Sequence, residues 1–296
     1  DNWEGEATRE ERAAVVHRGR ALGGTKTCIF VTGWGLEGSS PTVTTSDTDN
    51  WGDVHTRVGC GNKKFLHLDT QALRWDDPVN LNAFCDAAAG GHNGDHAENK
   101  RIFSYGFGSL VVAAAFENAC VLRSTSRWYV IAPPTAGNVG VQYLVNGCSN
   151  SFGWMRDGRA CAAQNSVRDG AASMTPAFSD SVLFGWAGFA SRVRSKANGV
   201  MCGNTPFGVN SGSSAVMTIF DGLVDSLWRS GTRDGWMELD LCQAGAPSGT
   251  AWSTTDASSN YFVAGVNAID LKCVGSNGWT GGDEKRPCNF YAEHGA

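Results

Sequence analysis

The sequence predicts an α/β protein whose mainly parallel central sheet carries helices on both faces. Three observations predict it. Short β-branched apolar runs alternate along the chain with longer stretches at helical spacing, glycine-rich turns separate them, and no internal repeat replaces that alternation. With 296 residues, 42% of them hydrophobic, the chain has ample material for one large core, and 1–296 is expected to form a single domain.

Residues 1–24 are charged and end in glycine, so an N-terminal arm packed on the outside is expected. Thr27 to Thr32 is an apolar, β-branched run closed by Gly33-Trp34-Gly35, the pattern of a buried parallel strand and its turn. Residues 36–62 form a polar excursion, and Lys64 to Asp69 is the next strand. Pro78 to Ala89 has helical spacing and is followed by a polar loop over Gly90 to Asn99. A strand over 101–105 leads through a glycine turn into a helix over 107–119. Trp128 to Ala132 is another buried strand, stopped by Pro133-Pro134, and a helix over Asn138 to Val145 follows. Residues 149–213 have little aliphatic periodicity and much Gly and Ser, which predicts a cap or lid insertion. Ser214 to Trp228 is helical by spacing, Trp236 to Leu241 alternates like a strand, and Tyr261 to Val266 is a last extended piece.

The net charge is −5, and no run of Lys and Arg is dense enough to follow a phosphate backbone, so nucleic acid is not an expected partner. No apolar stretch approaches the roughly 20 residues of a membrane span. The ten cysteines show no zinc-site spacing; their even number favours a disulfide framework over buried thiols, with Cys273 and Cys288 as the best candidate pair. Together with a chain that begins at Asp1, this predicts a mature secreted protein freed of its signal peptide. No acceptable Asn-x-Ser/Thr site is present. The 11 tryptophans offer stacking surface for a glycan or a protein, although buried tryptophan usually just packs.

Three short motifs carry the functional reading. The first is Tyr105-Gly106-Phe107-Gly108-Ser109-Leu110, a turn between a strand and a helix. The second is Arg233-Asp234-Gly235-Trp236-Met237, and the third is Asn267-Ala268-Ile269-Asp270. In this order they resemble, over about 27–145 and 230–290, the secreted lipase-like proteins of the α/β-hydrolase fold. The first matches the nucleophile elbow His-Ser-Met-Gly-x-Leu, the second the Asn-Asp-Gly-x-Val segment of the catalytic acid, and the third the Asn-His-x-Asp segment of the base. Val31 to Gly35 is similar to the oxyanion loop, which makes Gly33, Trp34 and the amide of Phe107 the implied oxyanion donors. A glycine turn after any buried strand, or an Asp-Gly turn opening one, has the same composition.

The resemblance fails at two of three catalytic positions. Gly106 stands where the serine belongs and Ala268 where the histidine belongs; only Asp234 remains. Of six histidines, five precede the elbow and only His294 follows Asp234. Without a nucleophilic oxygen and an imidazole, acyl transfer loses both attacking group and base. A shifted register makes Ser104 an alternative nucleophile, with His294 as its base, at the expense of a short and charged strand.

The resemblance thus implies a catalytically silent fold that acts by binding a glycan or lipid, or as a self-assembling extracellular subunit. The alternative is an active esterase at Ser104 and His294. In some such lipases the later Asp holds calcium, which makes Asp270 a weak calcium candidate; no other cofactor is expected. His92 and His96 with Asp95 and Glu98 could hold a divalent ion, but their glycine-rich surroundings favour a solvated loop.

Overall fold

A computed structural model describes residues 26–33, 40–91, 95–148, 160–161, 167–178, 183–208, 211–223, 225, 228, 231–274 and 282–296. The expected N-terminal arm and Trp34 lie outside these residues, as does His92. Among the described residues, seven strands form the central sheet: β1 (Thr27–Val31), β2 (Thr42–Thr44), β3 (Asn62–His67), β5 (Lys100–Tyr105), β7 (Arg127–Ile131), β8 (Gly199–Gly203) and β9 (Tyr261–Ala264). Their spatial order is β2-β3-β1-β5-β7-β8-β9, and every pairing is parallel except that of edge strand β2 with β3. A small parallel ribbon, β4 (Asp95–Ala97) with β6 (Cys120–Leu122), stands beside it. This is the mainly parallel α/β class expected from the sequence.

Six helices of eight or more residues occur among the described residues. They are α1 (Pro78–Ala89), α2 (Phe107–Asn118), α3 (Val139–Gly147), α4 (Trp186–Lys196), α5 (Ser211–Leu223) and α6 (Pro287–His294). Local chemistry sets several of their ends. Asp77 caps α1 by accepting the Val79 amide, Pro78 occupies the first turn, and Gly90 ends the helix at φ +85°. The Asn138 side chain caps α3 through the Val141 amide at 2.9 Å.

The two faces of the sheet bury different chemistry because successive strand residues point to opposite sides. On one face Phe65, Phe30, Phe103 and Tyr129 form a stacked row across β3, β1, β5 and β7, with centroids 4.7 to 5.3 Å apart. Helix α6 covers that row through Tyr291 and Phe290. On the other face Trp128 meets Phe116 of α2, which in turn meets Phe84 of α1. Trp51, Trp75 and Trp128 are buried in this core.

Five disulfides staple the fold: Cys28–Cys60 and Cys202–Cys242, which tie central strands β1 and β8 to later segments, and Cys85–Cys120, Cys148–Cys161 and Cys273–Cys288. The last is the pair expected from the sequence. Closing such loops contributes roughly 2–4 kcal/mol each, chiefly by restricting the unfolded chain.

Two expectations need correction. The span 149–213, read as a cap, contains core strand β8, all five of whose residues are buried, and helix α4, whose Lys196 and Arg192 bind Glu117 of α2. Strand β8 begins and ends with glycine because neighbours crowd both ends. A Cβ at Gly199 would collide with the Asn260 carbonyl, and one at Gly203 would lie 2.7 Å from Asp234 Cβ. The glycines that admit those neighbours also gave the segment the composition of a loop. The strand expected over Trp236 to Leu241 is instead a turn followed by a short helix, Leu239–Gln243. Asp234 Oδ1 accepts the amides of Trp236 and Met237, which folds the chain back before a strand can run.

Candidate functional site

The order in which strands are added to the sheet reverses between β1 and β5, since β1 is followed by β3 on one side and later by β5 on the other. Sites in open α/β sheets form at the carboxyl ends of the strands that flank such a reversal. Here that position holds Tyr105, Gly106 and the start of α2. Gly106 has φ +49° and ψ −115°, a conformation costly to residues with a side chain. Its N–H donates to the Ile131 carbonyl and its own carbonyl accepts from Ser109 N–H, both at 3.0 Å. The turn is therefore the sharp elbow expected from the sequence.

The elbow is tight below and open above. A Cβ on Gly108 would lie 2.6 Å from the Thr32 carbonyl oxygen, so the first turn of α2 seats directly on the end of β1. A Cβ on Gly106 would meet nothing within 4 Å. The space a nucleophile would occupy exists, and it opens into a cavity of about 400 Å³.

Gly106, Asp234 and Ala268, far apart in sequence, all line that cavity. Hydrogen bonds tie them together. Ala268 N–H donates to the Asp234 carbonyl at 3.1 Å, and the Tyr105 hydroxyl donates to the Ala268 carbonyl at 2.9 Å. Asp234 is 2% exposed. Burial lifts its carboxyl to about 7, although the two backbone amides on Oδ1 pull the other way. The Tyr105 hydroxyl is raised well above its usual range, first by burial and then by the Asp234 charge.

Phe107 lines the same cavity, and as the first helical residue its amide has no acceptor within the helix. Gly33 lies against the Tyr105 ring, where a Cβ would collide. The far walls are apolar: Met174, Met217, Phe220, Trp236 and Met237 face inward, with the Phe220 and Trp236 rings 4.7 Å apart. Lys272 adds a cation, its Nζ 5.1 Å from the Tyr105 ring centroid.

The other candidates lie elsewhere. Ser104 is fully buried on the α2 side of the sheet; its Oγ accepts from Trp128 Nε1 at 2.8 Å and bonds Ser109 Oγ at 3.0 Å. His294 lies across the sheet, stacked on Tyr129 at 4.6 Å, with Nε2 3.3 Å from the Ser259 carbonyl, and burial lowers its pKa. The sheet separates the two. Asp270 is buried beside Gly208, and its amide donates to Asn267 Oδ1 at 2.9 Å. His96 is exposed on β4 and pairs with Arg123. Among the described residues, no three His, Cys, Asp or Glu side chains gather at metal-binding distance.

Among the described residues that line the cavity there is no serine, threonine, cysteine or histidine. Its described lining residues offer amide donors, the Asp234 carboxyl, the Lys272 ammonium, the Tyr105 hydroxyl, the Asn138 side chain and apolar walls, without a serine, threonine or cysteine nucleophile or an imidazole. Sequence reading placed Tyr105 in the elbow motif without a role of its own, and missed Lys272 and the α5 wall. Lys272 lies four residues past Ala268, a spacing that brings it toward the same site in a tight turn; nothing in sequence marked Met217 or Phe220 as inward-facing.

No protein-family model matches the chain, and no curated protein does. Among solved structures, the mature form of the Bacillus licheniformis lipase BlEst2 is similar at 13% identity with a TM-score of 0.49, covering 84% of this chain and 86% of that one. Its propeptide form is similar at 14% identity and a TM-score of 0.44, covering 84% of this chain and 47% of that one.

Proposed function

We propose that this chain is a catalytically silent α/β-hydrolase-like protein that uses the cavity above its elbow to bind a small molecule. One observation carries the reading: the elbow residue is a glycine whose missing side chain faces open space, in a cavity whose described lining residues include no Ser, Thr, Cys or His. Amides without the triad's nucleophile and base forfeit most of an acyl-transfer enzyme's acceleration. Five disulfides and the lack, among described residues, of any helix long and apolar enough to cross a membrane support a secreted protein.

The test is incubation with a short-chain aryl ester and with a fluorophosphonate probe. The expected result is no turnover above buffer and no covalent label. Labelling of Ser104, lost in Ser104→Ala, would establish the esterase reading instead.

A second reading, self-association, has one observation in its favour. Val216, Ile219 and Leu223 form an exposed apolar stripe on α5, with exposed Phe207 in the segment before it. Sizing at rising concentration tests it, with Ile219→Glu expected to abolish any concentration-dependent growth. A particle that stays monomeric throughout removes this reading.

A further inference from the structure

The cavity's charges and dipoles restrict what its polar end accepts. The Phe107 amide at the start of α2 is a donor, and the aligned peptide dipoles of that helix bring partial positive charge to the same end. Asp234 supplies an acceptor, and Lys272 a positive charge over the Tyr105 ring. A ligand carboxylate would share a poorly solvated space with the Asp234 carboxylate. A ligand ammonium would face both Lys272 and the positive end of α2. A bare hydrocarbon would strip water from the amide and the carboxylate without replacing its hydrogen bonds. A neutral hydroxyl answers each objection, since one group both donates and accepts.

The room for it is already present. The open space over Gly106 is where a serine hydroxyl would lie, and Gly106 contributes nothing to fill it. Beyond that space, the Phe220 and Trp236 rings, tilted 33° to each other, give aromatic faces for a flat apolar group to pack on, and Met174 and Met217 supply side chains that adapt to irregular shapes.

Building on the binding role argued above, we propose that the cavity takes a neutral molecule with a flat apolar body and a hydroxyl head. The hydroxyl occupies the vacant side-chain space over Gly106, accepting from the Phe107 amide and donating to the Asp234 carboxylate. A ligand atom thus replaces the absent protein hydroxyl.

Four matched probes test this by titration calorimetry at pH 8: 2-naphthylmethanol, 2-naphthoate, 2-naphthylmethylamine and 2-methylnaphthalene. The alcohol is expected to bind at least tenfold more tightly than each of the others. In Gly106→Ser, whose new side chain fills the head space, the alcohol should lose about tenfold while 2-methylnaphthalene changes little. Should that variant fail to fold, the four wild-type affinities still decide the nature of the head. Equal affinity for the alcohol and the hydrocarbon, or tighter binding of naphthoate or the amine, overturns the hydroxyl assignment and leaves the binding role standing. If no probe binds, both fall.

Discussion

Two places within five residues of each other divide the parts of a nucleophile between them. On the α2 side of the sheet, Ser104 and Ser109 supply two hydroxyls in contact, sealed beneath the elbow and held by Trp128. Above the elbow, Gly106 supplies the access and backbone geometry of a nucleophile but no oxygen. One place has hydroxyls without an opening and the other an opening without a serine hydroxyl. Proximity to an elbow confers nothing unless the backbone turns the side chain toward the cavity. Residue 104 is still within the alternating strand, whereas residue 106 sits in the turn above it.

The strongest way to break the comparison is to attack the seat of the elbow. Gly108→Val places a branched side chain against the Thr32 and Val31 carbonyls, backbone that has no room to yield. Loss of more than about 3 kcal/mol, or failure to fold, is expected. Denaturant unfolding or soluble yield reads it. Normal stability in the Gly108→Val protein would mean that α2 does not rest on β1 as described.

The next effect is a pH dependence. Asp234 titrates near 7 when folded against 3.8 when exposed, so between those values the folded state holds a proton that the unfolded chain has released. The contribution of this carboxyl to stability is therefore greatest below about pH 4 and falls as pH rises toward 7. The difference is on the order of 4 kcal/mol over that range. His294, with a lowered pKa, contributes the opposite slope, losing stability as pH falls through its usual range. Comparison of unfolding free energies in wild type and Asp234→Asn isolates the carboxyl, because the amide oxygen still accepts from Trp236 and Met237. The wild type should lose stability relative to the variant as pH rises from 4 to 8; parallel curves would refute the burial of this charge.

How far these features were legible in the sequence follows from which physical signal each leaves. Strand β1 is buried on both faces, so Thr27 to Val31 is continuously apolar or β-branched and reads as a strand at once. Strand β8 is just as buried, but crowding by Asn260 and Asp234 demands glycine at both ends, and the resulting composition suggested a loop. At the site, Gly106, Asp234 and Ala268 were legible through their short flanking motifs, because turns constrain neighbouring residues. The walls were not. Met217 and Phe220 belong to a helix with apolar residues on two stripes, and helical spacing alone does not say which stripe faces inward.

On the sealed side, Ser104→Ala removes a hydroxyl that satisfies Trp128 Nε1 and bonds Ser109. Leaving the indole N–H buried without an acceptor costs about 2 kcal/mol, within the usual range for such groups. Ligand affinity in the cavity should not move. A change in binding with unchanged stability would reverse the roles assigned to the serine-bearing and serine-lacking positions.

The smallest effect belongs to the open side. Gly106→Ser meets no atom within 4 Å, so its cost is confined to the backbone, about 1 kcal/mol for a residue at φ +49°. Small stability loss with a new hydroxyl in the cavity makes this the informative variant, because it supplies the missing oxygen and nothing else. Alone it should stay unlabelled by fluorophosphonate, since no described imidazole lines the cavity to take the proton. Adding Ala268→His supplies one beside Asp234, whose backbone carbonyl already holds the residue 268 amide. Label appearing only in the Gly106→Ser/Ala268→His protein would show that the elbow, acid and base positions retain a working geometry. Label in Gly106→Ser alone would instead mean that Asp234 or Lys272 takes the proton without an imidazole.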